Sequence, residues 1–277
     1  MNRPLPSRTY AWYTVALLTV VYVFSFIDRY ILALLVEPIK AEMNLSDTQV
    51  GLLLGPAFAI FYTTMGIPLG WLSDRARRTW IVGVGLTIWS LATAASGLTR
   101  NFMQLFIARI TVGVGEATLS PCALSIIADS FPPEKRGRPI AFYSGALSIG
   151  AGLAFIAGAS VIIWSKTVDA IVLPMVGVVA PWQFAFIAVG LAGMPFAILL
   201  FTLREPARQG QQSFTQDGKA GLKEAFGYIR QNWQAYSGFV AVVCVMTTIA
   251  YSQNWLPAMF QRTWGWDPEV YAMYYGI

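Results

Sequence analysis

The chain has 277 residues, 56% of them hydrophobic and 12% charged, with 19 Lys and Arg, 14 Asp and Glu, and no His. A soluble domain of this length needs far more charged surface, so the composition excludes an ordinary water-soluble fold and points to an all-α polytopic membrane protein. The absence of histidine removes histidine-based acid–base, triad and metal chemistry.

A spanning helix needs roughly 20 mostly apolar residues. The first such stretch, Tyr10–Val36, follows Arg3 and Arg8 and carries Asp28 and Arg29 near its middle. No small-residue cleavage site precedes Asp28, so the stretch reads as a retained span and not a signal peptide. Thr48–Ser73 and Thr79–Thr99 follow without a charge, and Phe102–Ser130 holds Arg109 and Glu116. Pro139–Ser165 is the fifth span. The apolar piece "DAIVLPMVGVVAP" reads as an interfacial segment on the outer face, with Pro181-Trp182 opening the sixth span, which ends at Leu203. A polar, Gln/Gly-rich linker then leads to an amphipathic helix with Leu222, Phe226 and Ile229 on one face. Gln231–Gln261 is the seventh span, and Val270–Ile277 reads as the start of an eighth.

This gives three expected regions: an N-terminal six-span bundle over 1–204, a cytoplasmic linker over 205–232, and over 233–277 the first spans of a second bundle. The chain is accordingly expected to be part of a longer protein. Basic residues collect on alternate loops: Arg3 and Arg8; Arg75, Arg77 and Arg78; Lys135, Arg136 and Arg138; then Arg204, Arg208, Lys219, Lys223 and Arg230. The opposite loops hold only Lys40, Arg100, Lys166 and Arg262. By the positive-inside rule the N-terminus is cytoplasmic. The excess positive charge is topology, and no nucleic-acid partner is implied. Cys122 and Cys244 fall within apolar spans and suggest neither a disulfide framework nor a metal site.

Four charges sit inside the spans: Asp28, Arg29, Arg109 and Glu116. Each costs about 2.5–3.5 kcal/mol at the bilayer centre, so four unpaired ones would cost on the order of 10 kcal/mol. Adjacent helical residues do not face one another, so Asp28 and Arg29 need partners from another span. Arg109, Gly113 and Glu116 are spaced i, i+4, i+7 and share a face. Gly113 lets a second helix come close. Asp28 and Arg109 lie at similar depth, roughly 10–13 Å from the outer ends, and Glu116 about 20 Å in. Asp28–Arg109 and Arg29–Glu116 are both within reach, and sequence leaves the pairing open. Read structurally, these are ion pairs that hold helices together. Read functionally, they form a titratable site, because a moving arginine changes the proton affinity of a nearby carboxylate.

"GIPLGWLSDRARRTW" closes the second span, with Gly66 and Gly70 forming a small-residue face for close packing. Gly70, Asp74, Arg75 and Arg78 in this spacing resemble the loop signature between the second and third spans of the major facilitator superfamily. Arg109, Gly113 and Gly115 similarly resemble its fourth-span motif. Arg77 stands where the loop motif usually has glycine. "FIDRY", "GVGEATLSPCALSIIADSFPPEKRGRP" and "WLPAMFQR" resemble the Spinster branch, transporters of sphingolipid-like and lysophospholipid molecules. The resemblance implies a major facilitator fold, a gating role for the loop, and proton-coupled transport at Asp28, Arg29 and Glu116. In the superfamily the loop's Asp braces an inner gate against a helix that would lie beyond Ile277.

The fifth span's Gly145, Gly150 and Gly152 read as a close-packing surface. In the seventh span Tyr251 and Trp255 share a face with Asn254 beside them, a candidate cavity wall. Glycine pairs such as Gly83-x-Gly85 lie inside apolar helices, so no nucleotide-binding loop is expected and the chain does not read as an enzyme. A retinal protein needs a lysine in its last span, and Gln231–Gln261 has none. A seven-span receptor would leave the eighth-span start and the loop signature unexplained. The expected function is secondary active transport, coupled to protons, of an amphipathic lipid-like or organic anionic molecule. The expected setting is the bacterial inner membrane. The expected partners are the substrate, protons and the bilayer, with no cofactor and a monomer as the full-length protein.

Overall fold

Ser7 starts the first helix by accepting a hydrogen bond from the Tyr10 amide, and α1 then runs Arg8–Leu34. A computed structural model describes residues 5–165, 167, 171–173, 177–209, 227–267, 270, 271 and 274. After a break at Leu35, α2 (Val36–Met43) ends in Asn44, whose positive φ of 52° closes the helix in the left-handed region. Ser46 and Gln49 cap α3 (Asp47–Leu54) reciprocally. Gly55 and Pro56 interrupt that helix before α4 (Pro56–Ser73). The order continues with α5 (Arg78–Ser96), α6 (Phe102–Glu116), α7 (Leu119–Ser130), α8 (Gly137–Ser144), α9 (Ala146–Ser165), α10 (Pro181–Thr202), α11 (Trp233–Ser252) and α12 (Leu256–Trp264).

Joined across their breaks, these helices make seven segments long and apolar enough to cross a membrane: Arg8–Leu34, Asp47–Ser73, Arg78–Ser96, Phe102–Ser130, Gly137–Ala157, Pro181–Thr202 and Trp233–Trp264. They match the seven expected from sequence, and Pro181 opens the sixth. One element differs. Part of the expected interfacial segment forms an antiparallel hairpin, β1 (Ile171–Leu173) with β2 (Gly177–Val179), pairing Ile171 with Val179. Its β-branched run favours strand, and pairing satisfies its backbone without a helix. Among the described residues this hairpin is the one sheet in an otherwise helical fold. Leu222, Phe226 and most of Val270–Ile277 lie outside the described residues.

Apolar packing forms two main clusters. One takes Ala11–Val21 side chains of α1 with parts of α5, α7 and α10. The other takes Ile31, Leu32 and Ala33 with α2, α3 and the start of α10. Between them along α1 lie Ser25, Asp28 and Arg29, so the polar layer sits between two apolar cores. Alternation of the spans gives the bundle two ends: a basic end, where α1 starts and α4 and α10 finish, and an opposite end carrying α2, the hairpin and the close of α12.

Candidate functional site

Asp28 and Arg29 leave α1 in different directions, as consecutive helical residues must, and each meets a different residue of α6. Arg29 places Nη2 2.7 Å and Nε 2.8 Å from the same oxygen, Oε2 of Glu116. Ser25, one turn earlier on α1, donates its hydroxyl to that oxygen at 2.6 Å. The other oxygen, Oε1, is buried without a hydrogen-bond partner. One oxygen of the Glu116 carboxylate is therefore held by two side chains and the other by none.

Asp28 is held more loosely. Its Oδ2 accepts a hydrogen bond from the Thr93 hydroxyl of α5. Its Oδ1 lies 3.9 Å from Arg109 Nη1 and has no hydrogen bond. Arg109 instead donates to the Asp28 backbone carbonyl at 3.4 Å, and its Nε is unpartnered. Both pairings that sequence left open thus occur together, one tight and one under-bonded. Asp28, Arg109 and Glu116 are buried, whereas the Arg29 side chain keeps 25% exposure. Its guanidinium lies 4.6 Å from the ring centre of Phe58 and 4.9 Å from that of Tyr62. Arg29 is the more exposed of the two cations, and it stands on an aromatic platform.

Local backbone explains the placement. A methyl on Gly113 would lie 2.7 Å from the Phe58 carbonyl oxygen, so only glycine lets α4 approach α6 here. That is the close approach expected from sequence. Gly150 plays the same part between α9 and α1, where a methyl would meet Phe26 Cβ at 2.7 Å. The expectation for Gly66 and Gly70 is corrected: a methyl on either would meet nothing within 4 Å. That stretch of α4 is exposed, with Ile67 and Trp71 more than half uncovered.

Tyr251, Asn254 and Trp255 line a groove of about 400 Å³ together with Gly51, Gly55 and Pro56, where the second span breaks. The seventh span meets α1 at this end, and its remaining length is largely exposed. Tyr251, Asn254 and Trp255, singled out by their spacing, all border this groove.

At the basic end the loop after α4 is tied from outside itself. Arg78 is buried and reaches Asp129 at 2.5 Å, Glu205 at 2.6 Å, Ser125 at 2.7 Å and the Pro206 carbonyl at 3.1 Å. Arg208 donates to the carbonyls of Ser73, Asp74 and Ala76. Arg75 donates to the Trp71 carbonyl at 3.2 Å and lies over that ring. Arg77 caps α5 with φ −72° and ψ 109°, extended backbone open to any residue, so the turn has no need of glycine there. Asp74 caps α4.

Sequence reasoning missed Ser25, Thr93, Asp129, Glu205 and Arg208. The signals were present but weak: Ser25 is a polar residue one turn from Asp28 and Arg29, and Glu205 is a lone acid after the sixth span. Which arginine each acid would meet depends on how the helices pack. Cys122 and Cys244 are both free thiols.

The broken helices make seven segments able to cross a membrane, with a buried charge cluster between them, and the chain matches the Major Facilitator Superfamily model over residues 18–277. It belongs to that superfamily. Among curated relatives it is 33% identical over 186 residues to a probable L-galactonate transporter of Escherichia coli, covering 66% of this chain and 38% of that one. It is 30% identical over 262 residues to protein spinster homolog 1 of Xenopus laevis, covering 90% of this chain and 45% of that one. A solved bacterial homologue of the human lysosomal transporter Spinster, inward-facing and unoccupied, is 32% identical with a TM-score of 0.79, covering 98% of this chain and 60% of that one. The chain thus resembles the Spinster branch and spans about two-fifths to three-fifths of the length of these relatives.

Proposed function

We propose that this protein is a secondary active transporter that moves an amphipathic lipid-like or organic anionic molecule, coupled to protons, by alternating access. One observation carries the reading. Glu116 ends α6 at a break in its span, with one carboxylate oxygen held by Arg29 and Ser25 and the other buried and unpartnered. Buried ionisable groups in a membrane are expensive and are functional by default.

The chemistry follows from that geometry. Protonation at Oε1 neutralises Glu116 and removes the charge that holds Arg29. The freed guanidinium, already part-exposed over Phe58 and Tyr62, can then accept the anionic group of a substrate. The break between α6 and α7 lets that exchange move one part of the span relative to the other, and sites at discontinuous helices are general in such transporters. Asp28 and Arg109 sit beside the exchange as a second, looser pair. The groove at Tyr251, Asn254 and Trp255 supplies an apolar, aromatic wall near the same level.

In this reading the six spans of residues 1–204 form one half of the transporter, 205–232 a linker, and 233–277 the opening of the other half. The basic end faces the cytoplasm of a bacterial inner membrane, and Gly70, Asp74, Arg75 and Arg78 form its gate loop. The protein works as a monomer without a cofactor. The resemblance to the Spinster branch supports a lysophospholipid-like substrate. The likeness to a probable L-galactonate transporter supports a small carboxylate instead.

The test is transport by the full-length protein in proteoliposomes, with an imposed pH gradient and a panel of lysophospholipids and sugar acids. Glu116→Gln is expected to abolish gradient-driven transport while leaving substrate exchange. Gradient-driven transport that survives in this variant would sink the coupling role. The substrate class is read from which half of the panel the wild type moves.

A further inference from the structure

At the basic end, α1 begins at Arg8, and the connection from α7 to α8 folds beside it through the short turn Pro133–Lys135. Between them lies a pocket of about 840 Å³. Its inner wall is apolar. Ala11 and Phe131 are buried, and Trp12 meets Phe131 edge-on at 5.7 Å and Phe142 at 6.0 Å. Its rim is basic, formed by Arg8, Lys135 and Arg138, all exposed, with Glu134 as the carboxylate among them.

These three cations differ from several others at the same end. Arg78 is spent on Asp129 and Glu205, Arg208 on loop carbonyls, and Arg136 donates through Nε to the Phe131 carbonyl at 3.1 Å. Arg8, Lys135 and Arg138 form no ion pair among the described residues. Orientation by charge requires basic residues near a helix end, but it does not require them to ring a cavity with an aromatic floor.

We propose that this pocket binds the headgroup of an anionic phospholipid from the leaflet at the basic end. Three features support that occupant. The height is right: Arg8 is where the first span begins, which sets Trp12 at the membrane interface that tryptophan favours. The charge is right: three cations against one carboxylate attract a phosphate, and basic pockets between spanning helices hold anionic headgroups. The shape is right: the phosphate meets the rim while the start of the acyl chains lies along Trp12 and Phe142, a residue that is 52% exposed. The volume falls within the roughly 300–1,000 Å³ of small-molecule sites. This site lies apart from the waist charges and does not depend on the transport reading.

The experiment is lipid binding to the full-length protein, delipidated and returned to nanodiscs of phosphatidylcholine with a titrated share of phosphatidylglycerol. Bound lipid is counted by native mass spectrometry. Neutralising the rim as Arg8→Gln, Lys135→Gln and Arg138→Gln together is expected to weaken phosphatidylglycerol binding at least about tenfold. Arg100→Gln at the opposite end is expected to leave it unchanged. Glu134→Gln, which removes the rim's carboxylate, is expected to strengthen it. Equal binding by the triple variant and wild type would overturn the proposal. Where the triple variant fails to fold, an unchanged affinity in Glu134→Gln overturns it instead. A parallel arm measures inorganic phosphate and glycerol phosphate: binding much weaker than that of phosphatidylglycerol supports a lipid occupant, and binding as tight as the lipid's makes this a soluble-anion site and rejects the lipid.

Discussion

Arg77 and Arg78 are neighbours in the chain and have opposite fates. Arg77 is exposed, resting near the Trp80 ring, while Arg78 is buried with two carboxylates and a backbone carbonyl around it. Removing one partner of a buried ion cluster leaves the others uncompensated, which costs about 3–5 kcal/mol. Arg78→Ala is therefore expected to lower the thermal stability of the detergent-solubilised protein markedly, and Arg77→Ala to stay within about 0.5 kcal/mol of wild type. Equal effects from the two variants would contradict the burial argument. Thr93 gives a smaller case. Its hydroxyl is the hydrogen-bond donor to Asp28 Oδ2, and Oδ1 already has none. Thr93→Val should cost about 1–3 kcal/mol, the penalty for orphaning a buried acceptor, and thermal unfolding would measure it.

Breaks recur at the scale of elements. The second span is interrupted at Gly55-Pro56, the fourth at Ala117-Thr118, the fifth at Gly145 and the seventh across Gln253–Trp255. Two of these breaks lie beside the charge cluster, since Phe58 follows the first and Glu116 precedes the second. Glycine has two meanings on these helices. At Gly113 it permits contact with the α4 backbone, and at Gly70 it faces open space. Gly113→Ala forces backbone apart and should destabilise by about 1–3 kcal/mol, as overpacked cores do. Gly70→Ala should not destabilise, and helix propensity favours it slightly. Both are checked by the same melting measurement. A gating role for Gly70 would then appear as altered transport without altered stability.

Across the whole molecule, the end opposite the basic one is bridged by charge. Arg262 of α12 lies 2.6 Å from Glu37 and 2.9 Å from Asp47, and Lys40 meets Asp47 at 2.6 Å. Arg262 and Asp47 are exposed and Glu37 and Lys40 are partly so, so salt screens them and their static contribution is small. Their placement joins the seventh span to the connection after the first span, and these are parts that the proposed alternating access would have to separate. Arg262→Gln is expected to increase opening at that end, read as faster labelling of a cysteine introduced near Ala59 in a background without Cys122 and Cys244. Raising ionic strength should reproduce part of that effect in the wild type. Labelling that is insensitive to both would show that the bridge does not hold this end closed.

Much of this protein was legible in its sequence. Span count and limits were readable because hydrocarbon permits few charges and demands internally bonded backbone, a constraint that acts on each helix alone. Asp28, Arg29, Arg109 and Glu116 were readable for the same reason, since their cost is local and conspicuous. Partners were not. Glu116 takes both Arg29 and Ser25, Asp28 leans on Thr93, and Arg78 gathers acids from residues 129 and 205, all across long separations. Such choices depend on how closely helices pack and which faces turn inward. The tertiary structure alone decided them, because a charge's partner is fixed by distance in space, whereas its cost is fixed by the residue and the medium.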